Sequence, residues 1–124
     1  MTRFRRSALC SCSAVLLIVG CSGAGSPGGT PTASGTVAVD AYDNMFRPAE
    51  ITIARGTDVV WTNKGRSRHD VDPVDGDAWG VIPDEFGPHA TYVHRFTEPG
   101  TYEYYCTLHG TETKGMVGSV TVAK

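Results

Sequence analysis

Beyond residue 21 the sequence has one cysteine, Cys106, so the folded part has no partner for an internal disulfide. Nor is there an apolar run long enough to span a bilayer. The longest, "ALCSCSAVLLIVG", falls short of the roughly 20 residues a spanning helix needs. No stretch has a convincing helical period, which excludes helical bundles and leaves room for one short helical turn within residues 78–90. There is no internal repeat. A basic surplus is also missing. Residues 1–20 carry Arg3, Arg5 and Arg6 and no acid, so the remainder holds 8 Lys+Arg against 13 Asp+Glu. An acidic domain of this kind lacks the footprint that nucleic acid requires.

The start of the chain reads as an export signal. A basic segment, "MTRFRRS", precedes the short apolar run, which ends in "IVGC". This resembles a bacterial lipoprotein signal, which implies cleavage after residue 20 and lipidation of Cys21. Residues 21–35, "CSGAGSPGGTPTASG", are too poor in apolar side chains to fold and form a flexible linker, with a reach of roughly 20 Å. The expected organisation is a signal peptide over 1–20, a lipidated linker over 21–35 and one domain over 36–124, held at the outer face of a bacterial cell membrane.

Within that domain the pattern is β. "TVAVDAY" and "AEITIARG" alternate, and "TDVVWTN" is a β-branched and aromatic run. "TYVHRF", "TYEYYC" and "VGSVTVA" follow, split by Gly, Pro, Asn and Asp turns. The expected fold is an all-β Greek-key sandwich of about 7–8 strands. In "TYEYYC", Tyr102, Tyr104 and Cys106 share one face, and Glu103 requires water on the other. Cys106 therefore ends an inner strand, pointing at the core.

An exported lone thiol has to be buried, reactive or bound to something. Here His109 and Met116 follow Cys106 on what reads as one loop. A thiolate, an imidazole and a thioether form a soft ligand set that suits copper. A second histidine has to come from elsewhere, and His69, after the strand "VVWTN", is the best candidate. His89 and His94 are read as non-ligands, with His94 partly buried beside Phe96 in strand parity, and Met45 as packing. Tyr105 points outward, and the "WGVIP" segment around Trp79 is either core or a docking patch.

Residues 36–124 resemble a cupredoxin of the plastocyanin, pseudoazurin and halocyanin type. The resemblance rests on "FRPAEITIARGTDVVWTN", "HDV", "FTEPGTYEYYCTLH" and "GMVGSVTV", in that order. It implies one type 1 copper ion held by His69, Cys106, His109 and Met116, with no substrate turned over. The implied role is to carry an electron between redox proteins of unidentified kind as a monomeric domain. Asn63 and Asp70 are expected to pin the His69 loop to the Cys106 segment. Two departures stand out. Asp70 occupies a place that is often Asn in relatives, and "GTETK" lengthens the path from His109 to Met116 without a proline. The longer loop is expected to have more freedom and to tune the Met116 bond.

Rival functions fit the residues less well. A Cys106–His109 nucleophile pair would lack a helix N-terminus to activate the thiol. Multicopper oxidase chemistry needs a histidine on each side of the cysteine, and Tyr105 and Thr107 stand there instead. Copper storage or delivery would use the same ligands and stays open as the alternative function.

Overall fold

A computed structural model describes residues 35–124 of the chain. The expected signal peptide, the lipidation at Cys21 and nearly all of the expected linker lie outside the described residues. Eight strands form in the order β1 (Thr36–Tyr42), β2 (Met45–Arg47), β3 (Glu50–Ile53), β4 (Thr57–Asn63), β5 (Asp72–Pro73), β6 (Thr91–Phe96), β7 (Gly100–Thr111) and β8 (Lys114–Val122). One 3-10 turn, Pro83–Glu85, falls inside the segment where a helical turn is expected. Among the described residues no helix is long and apolar enough to cross a membrane.

The strands make two four-stranded sheets, ordered β2-β1-β4-β6 and β3-β8-β7-β5. Each sheet has one parallel pair, β1 with β4 and β3 with β8. Alternation along β4 buries Thr57, Val59, Trp61 and Asn63 and leaves the residues between them partly exposed. Trp61 is fully buried and packs against Trp79, Tyr92, Phe96 and Tyr104, with ring centroids 5.5–6.3 Å apart. Trp79 also stacks on His94 at 5.5 Å, so this indole serves the core between the sheets. Emptying the Trp61 site would cost about 3–5 kcal/mol.

Register fixes the poles of the sandwich. β1 starts with Thr36 beside Asp58 and runs until Ala41 lies beside Asn63. β7 starts with Gly100 opposite Val122, near the end of β8, and runs past Cys106 to the other pole. Thr36 and Val122 therefore share one pole. Asn63, Cys106 and His109 lie at the opposite one, about 20 Å away at strand rise.

Candidate metal centre

Cys106 is fully buried, on the inner face shared with Tyr104, as parity along β7 requires. The sequence suggests a free loop after it, but the chain continues as strand to Thr111 and β8 begins at Lys114. Tyr105 pairs with Val117 and Gly110 with Gly115, which leaves residues 106–109 bulging opposite Met116 alone. The expected looseness is not there, because the "GTETK" insertion is the tip of a β-hairpin. Its ladder returns the fully buried Met116 to a place across from the cysteine and histidine. Gly115 makes this tight return possible. It has φ +85°, and a Cβ on it would lie 2.7 Å from the His109 carbonyl oxygen.

His69 arrives from outside the ladder, between β4 and β5. Its own N–H donates to the Phe86 carbonyl at 3.2 Å. Asn63, the last inward residue of β4, organises the same segment. Its amide donates to the carbonyls of Ser67 and Phe86, each at 2.9 Å, and its carbonyl accepts from the Gly65 N–H. Asp70 makes the cross-link to the cysteine strand. One carboxylate oxygen accepts from the Thr107 N–H at 2.7 Å and the other from its hydroxyl at 2.5 Å. The expected tie from Asn63 to the Cys106 segment is thus made by Asp70 alone, while Asn63 ties the loop to Phe86.

The three donor atoms converge. His69 Nδ1 and His109 Nδ1 are 3.1 Å apart, and Cys106 Sγ lies 3.7 Å from the first and 3.4 Å from the second. A point equidistant from all three lies about 2.0 Å from each, close to the roughly 2.0–2.3 Å of imidazole and thiolate bonds to a small divalent ion. The residues present therefore fit a bound metal. His69 is fully buried and His109 half-buried.

Electrostatics point the same way. Burial holds the His69 imidazole below its ordinary value, with help from His109 and against Asp43 and Asp70. Burial pushes the Cys106 thiol up. Without metal, Cys106 is thus a thiol and His69 a neutral imidazole at neutral pH, and metal binding releases the thiol proton.

The other candidates lie apart from this cluster. His94 is stacked in the core, His89 is exposed, and Met45 on β2 is exposed. Tyr105 is half-buried, paired in the ladder with Asp72. Sequence reasoning missed Thr107, Phe86 and Asp43. Thr107 adjoins the cysteine and could have been singled out as a hydroxyl beside a ligand. The role of Phe86 is a main-chain carbonyl, which leaves no signal in its side chain.

Residues 33–123 match the family described as copper binding proteins, plastocyanin/azurin family. A chloroplastic plastocyanin minor isoform of Arabidopsis thaliana is 37% identical over 87 residues, covering 62% of this chain and 50% of that protein. Amicyanin-alpha of Methylorubrum extorquens is 36% identical over 80 residues, covering 61% of this chain and 66% of its own length. The chain thus spans between half and two thirds of these relatives. Among solved structures, a purple cupredoxin from Nitrosopumilus maritimus superposes with a TM-score of 0.60 at 26% identity, over 70% of this chain and 99% of that one.

Proposed function

The chain belongs to the plastocyanin/azurin family of copper binding proteins, and on that premise we propose that it is a mononuclear type 1 copper protein that carries single electrons between redox proteins. His69, Cys106 and His109 would hold the ion, and the thioether of Met116 would offer a weaker fourth ligand. The observation that carries this reading is the triangle of two imidazole nitrogens and one thiol sulfur at a buried strand end. Copper bound there supplies one-electron chemistry between Cu(II) and Cu(I).

What the protein does is hold its side chains still and dry. Cys106 is fixed by the β7 ladder, and His69 by Asn63 and Phe86. The Asp70–Thr107 link ties one ligand segment to the other, so the donor triangle keeps its shape when charge changes. Enclosure of the cysteine argues for a carrier and against an enzyme, because no substrate reaches a fully buried thiol. The half-buried His109 is the ligand nearest to water and the natural electron exit. We place the protein in the cell envelope, tethered through lipid on Cys21. The basic start and the "IVGC" run support that placement.

The test is to add one equivalent of Cu(II) to the purified domain and record optical and EPR spectra. An intense thiolate-to-copper band with narrow copper hyperfine splitting is expected, and a weak d–d spectrum alone would end the type 1 reading. Reversible voltammetry with slow loss of Cu(I) to a chelator supports a carrier. Ready surrender of Cu(I) without fast electron exchange would point to storage or delivery instead.

A further inference from the structure

The upstream ligand has an edge that the donor triangle does not use. His69 turns Nδ1 towards Cys106 and His109, so Nε2 faces back into the protein. That nitrogen is buried, and among the described residues it has no hydrogen-bond partner. A ligand imidazole ordinarily gives its second N–H to a carboxylate, carbonyl or water, which orients the ring and strengthens it as a donor. Across Gly65 from that nitrogen lies the carboxylate of Asp43, on the turn between β1 and β2. A Cβ on Gly65 would lie 2.5 Å from Asp43 Oδ1 and 2.9 Å from His69 Nε2. Only a residue without a side chain can separate the two.

Asp43 is held in this place. Its Oδ1 accepts from the N–H groups of Arg66 at 2.6 Å and Ser67 at 3.2 Å. The Ala41 carbonyl, two residues earlier, accepts from Lys64 and Gly65. One end of the β1–β2 hairpin therefore grips four successive amides of the loop that delivers His69. The two N–H donors hold the Asp43 carboxyl below its usual range, so it is ionised at neutral pH. Arg66 lies 3.6 Å from the other carboxylate oxygen, but its side chain is 95% exposed and offsets little of that charge.

We propose that Asp43 is a positioning residue for His69, setting the height of the 64–67 loop over the imidazole and placing a negative charge behind its Nε2–H. The effect on metal rests on the copper reading above, whereas the placement of the carboxylate does not. A negative charge behind a ligand favours the more positive metal state. Asp43 therefore raises the affinity for Cu(II) relative to Cu(I).

The discriminating variant is Asp43→Asn, which keeps an oxygen for the Arg66 and Ser67 amides and removes the charge. In the metal-free protein, nitrogen-resolved NMR should show the His69 Nε2 resonance moving while both amides stay protected from exchange. In the loaded protein, competition against chelators should show the Cu(II)-to-Cu(I) affinity ratio falling about three- to tenfold. Asp43→Ala should add a lower thermal midpoint, because it also strips the amide acceptor, and Asp43→Glu should restore part of the ratio. An unmoved Nε2 resonance in Asp43→Asn overturns the proposal, and so does a moved resonance with an unchanged ratio. If the wild type binds copper without a thiolate band, the functional reading falls, while the metal-free measurement still decides whether Asp43 addresses His69.

Discussion

The donor set is assembled from two unlike pieces of chain. Cys106, His109 and Met116 come from one hairpin, where ladder register alone places a four-residue bulge opposite a methionine. His69 comes from an irregular segment with no ladder beneath it. That segment is held by one or two hydrogen bonds each to Ala41, Asp43, Asn63, Phe86 and, through Asp70, Thr107. In the hairpin many equivalent backbone bonds share the work, and no polar side chain is indispensable. In the segment a few side chains each hold a large part of the geometry. Substitutions away from the ligands should therefore do more damage on the His69 side.

The strongest test removes the hairpin's thiol. Cys106→Ser should lower Cu(II) affinity by about 100-fold or more and abolish any thiolate band, because a hydroxyl is a far poorer soft ligand. A retained band would mean the hairpin is not the anchor. Next is Asn63→Ala, which empties a fully buried site, removes the Ser67 carbonyl's side-chain donor and leaves the Phe86 carbonyl with the His69 N–H alone. It should cost about 2–4 kcal/mol in urea unfolding. A cost below about 1 kcal/mol would show that the segment is held otherwise.

Gly115→Ala probes the hairpin next to its tip, where the backbone has a positive φ. The positive φ and the nearby His109 carbonyl should make it cost about 1–2 kcal/mol. Metal affinity should weaken with it, since the displaced atom belongs to a ligand residue. Unaltered affinity would mean the ladder absorbs the strain without moving the site. The smallest effect is expected at the hairpin tip, where Glu112→Ala alters an exposed side chain. Stability should stay within about 0.5 kcal/mol and copper spectra should not change. A clear spectral shift there would contradict a site isolated from its tip.

The same contrast explains what could be read from sequence. Alternation located β4, β6, β7 and β8, and parity alone turned Cys106 inward with Tyr104. These depend on residue type and a period of two. The tip was harder, because Glu112 and Thr113 are not residues that announce a tight hairpin turn. The "GTETK" stretch therefore read as slack loop. The grip on His69 was mostly illegible. Asp43 and Arg66 are 23 positions apart, and the Ala41 and Phe86 contributions are main-chain carbonyls that every residue possesses. Asp70 was legible because it adjoins a ligand, but its partner Thr107 became visible only when the two segments were seen side by side.

The shared pole of Thr36 and Val122 gives the molecule a front and a back. It is built like a plug, with the cable entering opposite the contacts. Anything joined at residue 35, whether a leash to a lipid surface or a linker to an electrode, pulls on the back and leaves His109 facing outward. A fusion placed at either end of the domain would therefore spare the socket, whereas one inserted at the β1–β2 turn would fill it.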